Sequence, residues 1–147
     1  MSNLTPDEQL YAGLQLTRPL LRNITSRVEA DLAGTGVTVG QRAILEVLLT
    51  QKQLTAPELT KQLQVTRQFV GRELKALLDK GFVETKPNPK HLNSSFYSLN
   101  AQSRDIITDI RTQETERIRG FALQFTPAEI AAFYKIQCAM NQEFSPD

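Results

Sequence analysis

Cysteine and histidine occur once each in this 147-residue sequence, as Cys138 and His91. A lone cysteine excludes an internal disulfide, and the pair is too small a set for the three or four protein ligands of a zinc site, so neither a metal nor another cofactor is expected. Long apolar runs are missing too: no stretch approaches the roughly 20 residues needed to cross a bilayer. The opening segment, with Asn3, Thr5, Asp7 and Glu8, has no basic region followed by an apolar one, so no leader peptide is read there. The expectation is a cytoplasmic chain with no membrane partner. Enzyme chemistry finds no foothold either, because there is no nucleophile–base motif and no glycine-rich phosphate loop.

What is present is enough apolar material, 40% of residues, for one compact domain over 1–147, and a charge distribution that the net value of +1 conceals. From Lys52 to Lys90 there are eight Lys/Arg against four Asp/Glu; the segment before has four against five, and the segment after five against seven. A basic middle between mildly acidic ends calls for an anionic partner at the middle.

Periodicity and punctuation divide the chain. Leu10, Leu14, Leu21, Ile24, Val28 and Leu32 recur mostly at three or four residues and predict one long amphipathic helix from Pro6 to about Leu32, closed by Gly34 and Gly36. A second helix starts near Thr38 and runs to about Thr50. "TAPE" at Thr55–Glu58 reads as a capping box that opens a short helix to about Leu63. Thr66 then caps a longer helix reaching Lys80 and Gly81, with a buried stripe of Val70, Leu74, Leu77 and Leu78.

"FVETK" and "FYSL" follow as two short strands around the nine residues Pro87–Ser95, a protruding tip rich in proline and asparagine. Asn100 caps a further helix, and a second box, "TPAE" at Thr126–Glu129, opens the last one, with Ile130, Phe133, Tyr134, Met140 and Phe144 on or near one side.

A short helix, a three-residue turn, a longer helix and a hairpin make a winged helix-turn-helix, in which the second helix enters the major groove of DNA and the hairpin reaches toward the backbone or minor groove. This order accounts for an otherwise awkward feature: Arg67 and Arg72 crowd the first turns of a helix, where the dipole disfavours positive charge by roughly 0.3–1 kcal/mol. Phosphates and base edges outweigh that term. The expected DNA-facing residues are Thr66, Arg67, Gln68, Gly71, Arg72 and Lys75 on the helix, with Lys86, Lys90, His91 and Asn93 on the wing.

The chain resembles the MarR (multiple-antibiotic-resistance regulator) family of bacterial transcription factors. The resemblance runs from "VTVGQRAILEVL" through "LTAPELTKQLQVTRQFVGRELKALLDKGFVE" and the wing "KPNPKHLNSSFYSLN" to "FTPAEIAAFYKI". It implies a mainly α fold with a small β-hairpin wing: a winged core over about 38–100, flanked by dimerisation helices over about 6–33 and 101–144. It further implies a homodimer that binds a near-palindromic double-stranded operator, often as a repressor, and is often released by a small aromatic effector. For that effector Tyr11, Arg18 and Arg42 are the candidate lining residues, in a crevice between the long helices and the winged core.

The chain also departs from the family pattern. The family wing usually carries Asp-x-Arg at its tip, where this chain has His91 and Asn93; the strand before it commonly ends in Arg, where Thr85 stands; and Gly71 replaces Thr or another small polar residue. These departures keep a second reading open, a winged-helix protein–protein module without operator binding.

Each singled-out residue also has a plain reading. Arg67 and Arg72 can be a solvated helix face, Lys86 and Lys90 charges that protect a sheet edge, His91 a bystander, Gly71 a weak point in a helix. Cys138 fits a small apolar residue packed in the last helix better than a redox sensor.

Overall fold

The computed structural model describes residues 3–146. Along it run α1 (Pro6–Gln15), α2 (Thr17–Leu32), α3 (Val39–Gln51), β1 (Gln53–Thr55), α4 (Ala56–Leu63), α5 (Arg67–Asp79), β2 (Val83–Lys86), β3 (Phe96–Leu99), α6 (Ala101–Ala122) and α7 (Pro127–Glu143). The chain forms two compact units, Met1–Thr108 and Asp109–Asp147, and α6 leads from the first into the second.

The single N-terminal helix expected from periodicity is two helices. Pro19 has no N–H to give the carbonyl of Gln15, and its ring crowds that carbonyl. The chain tightens just before it: the Leu16 N–H turns back to the Gly13 carbonyl at 3.1 Å, and α2 starts at Thr17. The stripe of apolar residues on these helices finds little cover, since Leu10, Leu21 and Ile24 are exposed and only Leu32 is buried. Gly34 and Gly36 close the segment with φ of +81° and +82°, backbone that side-chain-bearing residues rarely adopt.

Threonine caps begin the following elements. Thr38 and Gln41 form a reciprocal capping box on α3. At α4 the Thr55 hydroxyl accepts the Glu58 N–H at 3.3 Å, while Thr55 is also the last residue of a strand paired with Phe96. That strand, β1, makes the sheet three-stranded in the order β1–β3–β2, all antiparallel, where the sequence showed only a two-stranded hairpin. Three residues are too few to display an alternating pattern, and these overlap a helix-start signal.

Ile44, Leu45, Leu48, Leu59, Val70, Leu74 and Leu77 form the core of the first unit, with Leu54, Val83 and Leu99 contributed by the sheet. Leu78 was expected in the α5 stripe but is exposed. It lies one residue beyond Leu77, about 100° around the helix, and the seam is filled by the i, i+4, i+7 set of Val70, Leu74 and Leu77. At the far end of α5 the Lys80 ammonium donates to the Gly36 carbonyl at 2.6 Å and to Oε1 of Gln41 at 2.9 Å. One cation of the basic segment thus ties α5 to the start of α3.

In the second unit, α7 opens with the expected capping box of Thr126 and Glu129, and the rings of Phe121 and Phe125 meet at 5.3 Å with a 60° tilt. No described residue of α7 is buried; Phe133, Tyr134 and Phe144 are largely exposed, as is Cys138, which the sequence reading had packed inside.

Candidate nucleic-acid interface

The turn before α5 is Gln64–Val65–Thr66. Gln64 takes left-handed backbone, φ +54°, to end α4, and the Thr66 hydroxyl accepts the Phe69 N–H at 3.0 Å to start α5. This fixes the helix in rotation as well as position, because Val70, Leu74 and Leu77 face the core. By the helical period Gln68, Gly71, Arg72 and Lys75 turn away from that seam, and they are exposed, as are Thr66 and Arg67, which open the helix. A Cβ added at Gly71 would meet no atom within 4 Å, so nothing within the protein requires glycine there.

Arg72 is held more firmly than a free surface arginine. Its guanidinium lies 5.9 Å from the centre of the Phe69 ring, and its Nε is 3.4 Å from Oε1 of Glu73. Phe69 in turn packs over Gly40 of α3. Phe69 and Arg72, three residues apart on α5, meet by helical spacing, whereas Gly40 beneath the ring comes from α3 and has no local signal.

On the wing, Lys86 ends β2 opposite Phe96, and Lys90, His91 and Asn93 are exposed in the loop. The tip is two successive tight turns. His91 donates its N–H to the Asn88 carbonyl at 3.2 Å, and Ser94 to the His91 carbonyl at 3.0 Å. The buried Asn88 side chain accepts the Lys90 N–H at 3.1 Å, which pins the first turn.

The residues proposed for an effector are dispersed over the helices of this unit. Tyr11 is exposed on α1, Arg18 exposed on the first turn of α2, and Arg42 half-buried on α3 with Nη2 3.4 Å from Glu46. A hollow of about 390 Å³ is lined instead by Glu29, Leu32, Val37, Thr38, Val39 and Gly40. Among the described residues no group of three or more His, Cys, Asp or Glu is placed to hold a metal ion, and no helix is long and apolar enough to cross a membrane.

The MarR family model matches residues 35–92, the segment carrying α3 through the wing tip. The transcriptional regulator AdcR of Streptococcus pneumoniae is 30% identical over 100 residues, which cover 66% of this chain and 68% of that protein. A crystal structure of a MarR family transcription regulator is 43% identical, with a TM-score of 0.90 over 94% of this chain and 91% of that one. The chain belongs to the MarR family of transcription regulators. Its winged helix-turn-helix fold recurs in FabT of Streptococcus pneumoniae, solved in complex with DNA, at a TM-score of 0.82 and 18% identity over 90% of this chain and 95% of that one. MarR family membership makes the chain a regulator and not an enzyme.

Proposed function

We propose that this MarR family regulator binds a near-palindromic DNA operator as a homodimer, with α5 of each copy in the major groove and the two copies of α5 about 34 Å apart, one turn of the duplex. The observation that carries the reading is the division of α5: a seam of Val70, Leu74 and Leu77 buried in the core, and, turned away from it, exposed Gln68, Arg72 and Lys75, with exposed Arg67 opening the helix. Arginine pairs bidentately with guanine and glutamine with adenine, each good pair giving about 1–3 kcal/mol of discrimination. Bare Gly71 lets the helix backbone approach the groove floor. Thr66, at the cap, and Lys86 and Lys90, on the wing, are positioned for phosphates, and His91 and Asn93 for the minor groove.

Repression by occupancy is the simplest regulatory action of such a dimer, since a promoter it covers is closed to polymerase. A small aromatic effector would act by favouring one spacing of the two reading helices over the other. The 390 Å³ hollow, which includes Gly40 beneath Phe69, is of a suitable size, with Arg42 on the same helix as Val39 and Gly40.

The test is an anisotropy titration of the full chain on duplexes from its own upstream region and on random duplex. Preference for the former, with affinity falling steeply as salt rises, is the expected result. Equal, weak binding to both would leave the protein–protein module as the better account.

A further inference from the structure

Leu92 is 90% exposed, and no large apolar residue among those described is more so. A single exposed leucine is ordinary on a protein surface. This one is placed unusually. It is the first central residue of the turn His91–Ser94, at the tip of the loop between β2 and β3. The turn rests on a second one pinned by the buried Asn88 side chain, so the leucine stands at the end of a braced projection. Its surroundings are cationic: Lys86 and Lys90 lie close in sequence, and no Asp or Glu occurs between Glu84 and Asp105.

We propose that Leu92 is an apolar wedge which the wing presses into the minor groove of an A·T-rich step, with Lys86 and Lys90 on the flanking phosphates. The proposal rests on the operator-binding reading and extends it to how the wing reads DNA. The minor groove is about 6 Å wide, walled by phosphates and floored by apolar sugar and base edges, so a cationic rim around an apolar tip is complementary to it. Apolar side chains inserted there part base steps and bend the duplex toward the major groove. Asn93, next in the turn, supplies an amide N–H for the acceptors that A·T pairs display on that floor. Sequence preference in the operator flanks would then come from how easily a step opens and not from a charged contact.

The experiment uses the full chain and a duplex that it recovers from a randomised pool, end-labelled so that energy transfer reports bending. A second version carries 2,6-diaminopurine for adenine in the flanks, which sets an amino group on the minor-groove floor. Leu92→Ala is expected to bind roughly tenfold more weakly, as loss of most of a buried leucine's contribution implies. Its salt slope should equal that of the wild type, because no charge is removed. It should also bend the duplex less and lose little further affinity to diaminopurine, while the wild type loses much; Leu92→Met should restore binding and bending.

A wild-type complex without a bend, or Leu92→Ala matching the wild type in affinity, bend and response to diaminopurine, overturns the wedge while salt-sensitive operator binding stands. Failure of the wild type to recover any preferred sequence overturns both readings together.

Discussion

The ring of Phe69 on α5 lies so close over Gly40 on α3 that a Cβ at position 40 would stand 2.8 Å from its Cζ and 3.2 Å from its Cε2. Alanine at position 40 therefore moves the ring. Two opposed terms act on stability: alanine favours the helix by about 1 kcal/mol, and overpacking costs about 1–3 kcal/mol in a rigid core. Phe69 is only half-buried and can swing outward, which places the cost at the low end. Gly40→Ala should shift the urea-unfolding free energy by less than about 1 kcal/mol. Operator affinity should fall much more, because Arg72 rests on the displaced ring.

Gly71 shows the reverse balance. Nothing lies within 4 Å of a Cβ built there, and the position is in the exposed interior of α5. Gly71→Ala should stabilise the protein by about 0.5–1 kcal/mol in urea titration. If the helix backbone approaches bases at this point, the same substitution weakens operator binding. A variant that is more stable and binds unchanged would take Gly71 out of the interface.

Arg72 and Lys90 should fail in different ways. Arg72→Ala removes a side chain held over the reading surface and should lower operator affinity by about 1–3 kcal/mol while relaxing preference at one base pair. Lys90→Ala should weaken binding to all duplexes alike and reduce the salt slope by about one. Titrations of both variants over a range of salt concentrations, on operator and on random duplex, separate the two patterns.

The parts of this structure legible in the sequence are those set by local chemistry. Thr38, Thr66 and Thr126 mark helix starts because a hydroxyl two or three residues before a free N–H is a short-range device, and the exposed row on α5 follows from its period. Pro19 was readable too, as was the seven-residue step from Leu14 to Leu21, but the regular spacing on either side masked the missing N–H. What could not be read depends on distant partners. Gln53–Thr55 becomes a strand only because Phe96–Ser98 lies beside it, and Lys80 turns inward only because Gly36 and Gln41 are within reach. The exposure of the candidate site was therefore foreseeable, whereas the seat that Gly40 of α3 gives Phe69 was not.

Acid should loosen the start of α7 through Glu129. The Thr126 N–H donates to its Oε1 at 3.0 Å, and with the threonine side chain this lowers the carboxyl pKa from its ordinary 4.5. A depressed folded-state pKa contributes stability that is present above the unfolded value and is lost as pH falls through the folded one. Hydrogen exchange at the first turn of α7 should quicken from about pH 5 to about pH 3 relative to the intrinsic rate. In Glu129→Gln, which keeps the shape without the titration, that pH dependence should flatten.

Phe133 tests the assembly. Ile118, Phe121, Phe125, Ile130 and Phe133, with Glu129, line an apolar hollow of about 460 Å³ within the second unit, and α7 buries none of its described residues in its own chain. The proposed two-fold operator reader needs a second copy of the chain, and this uncovered apolar surface is where that copy is expected to pack. The wild type should sediment as a dimer at micromolar concentration. Because Phe133 is 62% exposed, Phe133→Asp should keep its helical signal and sediment as a monomer. Its binding to a full operator should drop toward that for a single half-site, since the second reading helix is no longer tethered. A variant that stays dimeric would move the subunit contact away from α7.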